Sequence, residues 1–219
     1  MSRSYEQSCV IARALDVLGE RWTLLIVREL ALGPRRYGDL LRSLPSMGTN
    51  LLAARLKHLE QYEVLQRTTL PGPGRASAYS LTPRGEKLLP VLASLVEWGA
   101  GLDPSPADYA DRAEWCVVAM SLTAAPGAAG FTTVTELHIG EETLWIQGDG
   151  HRVRVETGPA PMTPGLRLTC EKATFYALAK KHVTADSAIE AGELTAEGDV
   201  RQARRFFDFF SLPEDMRDS

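Results

Sequence analysis

Four leucine-periodic segments, followed by a proline-glycine turn between two strand-like runs, restrict this chain more than any other feature. Val10, Ile11, Ala14, Leu15 and Leu18 recur at helical spacing, and Trp22, Leu25, Ile26 and Leu30 repeat the pattern after Gly19-Glu20-Arg21. Gly33-Pro34 stops the second segment, and Tyr37, Leu40, Leu41 and Leu44 mark a third that ends at Pro45. Thr49-Asn50, an N-cap-type pair, then precedes Leu52, Leu56 and Leu59, which predict a fourth helix running to about Gln61. Val64 to Leu70 and Ser77 to Leu81 read as strands, and Pro71-Gly72-Pro73-Gly74 between them can only turn, so a hairpin is expected. Thr82-Pro83 places a cap and an N1 proline ahead of a fifth helix carrying Leu88, Leu92 and Leu95.

Two short helices joined through Pro45-Ser46-Met47-Gly48 and followed by a hairpin make the winged form of a helix-turn-helix. Its second helix fits a major groove about 12 Å wide. With Leu52, Leu56 and Leu59 turned to the core, Thr49, Asn50, Ala53, Ala54 and Lys57 project outward. Asn50 is then placed to pair with adenine, and the alanines permit close approach to bases. Arg36 before the third helix, Arg67 on the hairpin and Arg75 at its tip are positioned to neutralise phosphates, as is Arg35. Charge agrees. The chain is -4 overall, but residues 1 to 102 carry 13 Lys and Arg against 9 Asp and Glu, and the remainder carries 11 against 19. Only the first half suits a polyanion.

The residues from Cys9 to Gly33, C-V-I-A-R-A-L-D-V-L-G-E-R-W-T-L-L-I-V-R-E-L-A-L-G, resemble the signature of HxlR-type regulators. The resemblance continues through Arg36-Tyr37-Gly38-Asp39-Leu40-Leu41, Leu52 to Glu60 and Tyr79 to Gly85, and spans residues 5 to about 100. It implies a homodimer built through the first and last helices of the domain, with two recognition helices on a palindromic or near-palindromic DNA operator. The family usually has glycine before the first wing strand, where this chain has Glu63. Some members sense oxidants or electrophiles through an N-terminal cysteine, which makes Cys9 a redox candidate; Val10 stands where such relatives often have proline.

Asp103-Pro104-Ser105-Pro106 suggests domains at 1 to 102 and 109 to 219 joined by a linker at 103 to 108. Beyond it, Tyr109 to about Leu122 reads as a helix, and Ala124 to Gly130 as a small-residue loop. Alternating segments starting at Phe131, Leu144 and Val153 imply three antiparallel neighbours, and Leu166, Leu168 and Cys170 a fourth strand after a proline-rich break. A helix from Phe175, a short one near Ser187, a strand over Glu193 to Glu197 and a helix with Val200, Ala203, Phe207 and Phe210 complete an α+β domain with an antiparallel sheet. Gly192 to Asp199 and the apolar helix after it resemble the ending of the sterol carrier protein 2 fold, over roughly 110 to 212. That resemblance implies a lipid-sized tunnel. Phe206, Phe207, Phe209 and Phe210 put aromatics on more than one helix face, and Leu137, Leu144, Trp145, Leu166, Phe175 and Leu178 join Phe206, Phe207 and Phe210 as a candidate lining for a hydrophobic effector.

Other classes fare worse. The histidines His58, His138, His151 and His182 are isolated, and G-x-S-x-G, H-E-x-x-H and C-x-x-C are absent, so neither an enzyme nor a metal or cofactor site is expected. Cys9, Cys116 and Cys170 are too few and scattered for a disulfide framework. No apolar run approaches the roughly 20 residues of a membrane helix, so a cytoplasmic chain without membrane partners is expected. The alternatives left open are a thiol-based sensor through Cys9, a constitutive repressor whose second half is a structural brace, and a lipid carrier whose first half only dimerises.

Overall fold

A computed structural model describes residues 4–70, 76–100, 102, 111–151 and 153–213. It divides into two compact units, Met1–Leu92 and Ala93–Ser219. The division falls inside a helix, and the expected linker at 103 to 108 lies outside the described residues.

Unit 1 begins with α1 (Val10–Leu18), α2 (Thr23–Ala31), α3 (Tyr37–Ser43) and α4 (Thr49–Gln61), then the hairpin β1 (Leu65–Thr69) and β2 (Ser77–Leu81). Part of the periodic set forms its core: Ile26 and Leu30 from α2, Leu40 from α3, and Leu52, Leu56 and Leu59 from α4 are all buried, whereas Val10, Ile11 and Leu15 of α1 and Leu25 of α2 are exposed. In the hairpin Leu65 pairs with Leu81 and Thr69 with Ser77. Arg35 adds a further rung: its N–H donates to the Tyr79 carbonyl at 2.9 Å and its carbonyl accepts from Tyr79 N–H at 2.8 Å. The segment before α3 is thereby fastened to the wing.

Two local features differ from the expectation, and a third concerns a turn. Trp22 sits at the N-cap of α2 in the left-handed region (φ 81°), so the second helix starts one residue later than its apolar pattern. The fifth helix is split into α5 (Pro83–Glu86) and α6 (Leu89–Ala100). Thr82 caps α5 as expected, its Oγ1 accepting from Gly85 N–H at 3.1 Å. Pro90 lacks the N–H that a continuous helix would use at that point, which explains the break. Finally, Glu63 occupies the position where the family favours glycine, and its φ is 57°. A non-glycine residue there costs about 1 kcal/mol.

Unit 2 continues with α7 (Ala113–Leu122), β3 (Thr135–Ile139), β4 (Glu142–Gly148), β5 (Val153–Thr157), β6 (Leu166–Cys170), α8 (Lys172–Ala179), α9 (Ala185–Glu190), β7 (Leu194–Gly198) and α10 (Arg201–Phe209). The sheet order is β5-β4-β3-β6-β7. The β3–β4–β5 neighbours are antiparallel as expected, and so are β6 and β7, but β3 and β6 run parallel. The sheet is therefore mixed. The reason lies in residues 158–165, which leave the β5 edge and must cross three interstrand spacings, about 14 Å, while returning one strand length, about 16 Å. Eight residues reach about 26 Å when extended. Pro159, Pro161 and Pro164 favour that extended path.

One sheet face carries Leu137, Ile139, Leu144, Ile146, Leu166 and Leu168, all buried and continuous with the buried Phe175, Leu178, Phe206 and Phe210 of the helices. Glu142, opening β4, caps α7 from outside: its carboxylate accepts from Ala113 and Glu114 N–H, each at 3.1 Å, and meets Lys172 Nζ at 2.8 Å. Among the described residues no helix is long and apolar enough to cross a membrane, and no group of three or more His, Cys, Asp or Glu is placed to hold a metal ion.

Candidate nucleic-acid interface

α4 is oriented by its leucines and started by its neighbours. Gly48, at φ -73° and ψ 152°, is the N-cap, so Thr49 is the first helical residue instead of the cap expected from sequence. Tyr37 Oη donates to the Thr49 carbonyl at 2.7 Å, tying α3 to the first turn of α4. With Leu52, Leu56 and Leu59 buried, Thr49, Asn50, Ala53, Ala54 and Lys57 are all solvent-exposed. Asn50, Ala53, Ala54 and Lys57 follow i, i+3, i+4, i+7 spacing and so form one stripe. At 1.5 Å per residue the stripe is about 10 Å long, three base-pair steps. Small side chains in its middle and polar ones at its ends suit insertion into a groove. Leu51, also exposed, joins this surface; its apolar type hid it from the pattern.

The back of α4 is anchored. Arg55 Nη2 lies 2.6 Å from Glu20 Oε2, and His58 Nε2 is 3.2 Å from the Val17 carbonyl. α4 is therefore held to the turn after α1 and to α1 itself while its front stays open. Arg36 is exposed at the start of α3, where its backbone N–H donates to Asp39 Oδ2 at 3.2 Å. Arg67 is exposed on the wing yet engaged, with Nε 3.3 Å from Glu60 Oε1 and its guanidinium 5.7 Å from the Tyr79 ring centre. An exposed pair of this kind is worth at most about 1 kcal/mol, so a phosphate can displace it. Arg75 and Pro71-Gly72-Pro73-Gly74 lie outside the described residues.

In unit 2 the structure separates residues that the sequence had grouped. Leu137, Leu144 and Leu166 share the helix-covered face with Phe175, Leu178, Phe206, Phe207 and Phe210. Trp145 does not. It pairs with Glu136 and therefore points to the opposite face, where it is 4% exposed with Arg154 5.3 Å from its ring centre. A one-position offset in a strand reverses the face. The second face of α10, expected to need a ligand or partner, is covered from within: Phe131 meets Phe206, Phe209 and Phe210 edge-on at 6.1, 5.9 and 5.8 Å, and Ala125 N–H donates to the Phe209 carbonyl at 2.9 Å. The loop before β3 closes over the phenylalanines.

Cys9 is exposed at the N-cap of α1. The backbone N–H groups of Ala12 and Ile11 lower its pKa by stabilising the thiolate. Burial instead pushes Cys116 up to about 12 and Cys170 up to about 11.

A helix-turn-helix with an anchored back, an open stripe on its second helix and a fastened wing defines a winged DNA-binding module. Residues 17–105 match the model of the HxlR-like helix-turn-helix family, and residues 119–211 match the SCP-2 sterol transfer family. An uncharacterised HTH-type transcriptional regulator of Synechocystis is 38% identical over 92 residues, 42% of this chain and 68% of that protein. YvaP of Bacillus subtilis, an uncharacterised HTH-type transcriptional regulator, is 36% identical over 94 residues, 42% of this chain and 87% of YvaP. The reduced form of the transcriptional regulator YodB from Bacillus subtilis aligns over 48% of this chain and 100% of its own at 31% identity, with a TM-score of 0.39. The chain belongs to the HxlR-like helix-turn-helix family, and is a transcriptional regulator of that type.

Proposed function

We propose that this regulator acts as a homodimer that binds a palindromic or near-palindromic double-stranded DNA operator, each copy laying α4 in a major groove. The observation that carries the reading is the exposed stripe of Asn50, Ala53, Ala54 and Lys57 over a fully buried leucine row. Dimerisation is supported by apolar side chains left in solvent on two helices. Ile11 on α1 is 71% exposed beside an exposed Leu15, and on α6 Val91, Leu95 and Trp98 repeat at four and three, with Trp98 70% exposed. Apolar faces of this kind mark association surfaces. The chain has a binding role and no catalytic step in this reading.

Unit 2 makes DNA binding conditional by taking up a hydrophobic small molecule. The match to the SCP-2 sterol transfer family supports this, as does the buried and predominantly apolar sheet face, on which Thr135 is the one fully buried polar side chain among the described residues. Leu137, Leu144, Leu166, Phe175 and Leu178 are all buried, Phe175 with its ring 6.3 Å from that of Phe207 on α10, so entry requires the cover to move, and Trp145 is outside the set. Titration of genomic fragments with the full chain tests both parts. Specific fragments must bind, with affinity falling with salt at a slope near -0.9 per phosphate contacted. Protein stripped of lipid and protein loaded with a sterol must differ in operator affinity. Equal affinities would make unit 2 a structural brace.

The exposed, thiolate-favouring position of Cys9 supports a second reading, regulation through thiol oxidation. Iodoacetamide is expected to modify one thiol per native chain, at Cys9, and faster as pH rises through its lowered pKa. Modification of Cys116 or Cys170 at a comparable rate would remove the basis for that reading.

A further inference from the structure

Unit 1 carries a cavity of about 550 Å³ whose lining comes from α1, the end of α4, the base of the wing, α5 and the turn after it. Val17 of α1, Val64 and Leu88 supply apolar wall, and Tyr62, the residue that closes α4, supplies an aromatic ring. Arg13 and Arg84 reach the same cavity, against one acid, Asp16.

These charges are not equivalent. Asp16 is turned toward the N-terminal segment, its Oδ1 accepting from Tyr5 N–H at 2.8 Å and its Oδ2 from Ser4 Oγ at 3.0 Å. Arg84 has Glu63 at 3.9 Å, a long pair between two exposed side chains. Arg13 is exposed and, among the described residues, makes no ion pair or hydrogen bond through its guanidinium. The cavity thus combines apolar walls, an aromatic ring and an uncommitted guanidinium, with one positive charge in excess.

We infer that this cavity is a binding site for a small aromatic carboxylate. The carboxylate would be gripped by the planar fork of Arg13, with Arg84 assisting, and the ring would rest on Tyr62, Val64 and Leu88. A polyanion does not match a single excess charge, and a neutral hydrophobe leaves Arg13 unused. The volume lies within the 300–1,000 Å³ usual for small-molecule sites. Ile11 and Leu15, the α1 side chains assigned to pairing with a second copy, are not part of the lining, although the exposed Val10 beside them is. The assignment is independent of any ligand in unit 2.

The test is calorimetric titration of the full chain with 2-naphthoate, with 2-naphthamide as the ring without the charge and inorganic phosphate as the charge without the ring. Naphthoate is expected to bind saturably at one site per chain, and both comparators at least tenfold more weakly. Arg13→Gln is expected to weaken naphthoate at least tenfold and Arg84→Gln by a smaller factor. Because Arg13 is an exposed helix residue, its variant should keep the parent melting temperature, which separates lost binding from lost folding. Absence of saturable binding, equal affinity for the amide, or an Arg13→Gln variant that binds like the parent would each overturn the assignment. The last result would also place any bound naphthoate elsewhere, including unit 2.

Discussion

Gly148→Ala is expected to destabilise unit 2 by about 3 kcal/mol or more and to lower its melting temperature by roughly 10–25 °C. Gly148 ends β4, and a Cβ there would stand 2.2 Å from the Ala129 carbonyl oxygen and 2.7 Å from that of Ala128. Both contacts are backbone, so neither can rotate away. The loop that would have to move is hydrogen-bonded on both sides, through Gly148 N–H to the Phe131 carbonyl at 2.8 Å and Gly150 N–H to the Ala129 carbonyl at 2.9 Å. Phe131 would follow it and leave the phenylalanines of α10, a loss of the size seen when a buried aromatic is removed. Gly130→Ala is the control, because a Cβ at that neighbouring position meets nothing within 4 Å. Calorimetric melting of the two variants decides the point; a Gly148→Ala protein that melts within a degree or two of the parent would show that the loop does not rest on β4.

Glu136→Ala is expected to cost unit 2 about 3 kcal/mol, for an electrostatic reason. The carboxylate is 5% exposed and accepts from His138 Nε2 at 2.8 Å, Arg167 Nε at 2.9 Å and the Ala160 N–H at 2.8 Å. The last bond pins the proline-rich crossover to the sheet. Removing the carboxylate strands that N–H and one side of Arg167, although Arg167 keeps Glu197 at 3.0 Å and is partly exposed, which places the effect at the lower end for a broken buried pair. Burial raises the Glu136 pKa, but the bonds from His138, Ala160 and Arg167 outweigh it and hold the carboxyl down to about 2, against an ordinary 4.5. The sign follows. A group with a depressed folded pKa contributes fully above its unfolded value and loses that contribution as pH falls through the folded one. The stability gap between the parent and Glu136→Gln should therefore be widest above about pH 4.5 and close toward pH 2. A gap independent of pH would refute the charged arrangement.

The parts legible in the sequence are those set by local periodicity. Leu52, Leu56 and Leu59 fix which side of α4 is buried, and the outward residues follow by helix geometry alone. The hairpin and the Thr82 cap were likewise readable, because proline, glycine and threonine act on their own few residues. What failed needed partners. That Leu166 pairs parallel with Thr135 depends on where a proline-rich loop lands, and no residue of either strand encodes it. The Glu136, His138 and Arg167 network was invisible for the same reason. Trp145 looked like one more large apolar residue among others, and only the pairing with Glu136 assigns its face. Phe209 and its neighbours suggested an unpartnered surface because the loop from Ala125 to Phe131 offers small residues whose role is to lie close, which hydropathy does not register.

The central claim is that the outward stripe of α4 reads DNA, and the most direct measurement is operator affinity as a function of salt for the parent, Asn50→Ala and Lys57→Ala. Both side chains are exposed, so neither change should disturb folding. Loss of Asn50 should cost about 1–3 kcal/mol, a factor of roughly 5–150, and relax discrimination at one base pair. Loss of Lys57 should weaken all sequences alike if it meets phosphate, and reduce the salt slope by about 0.9. Parent affinity and parent slope in both variants would contradict the claim.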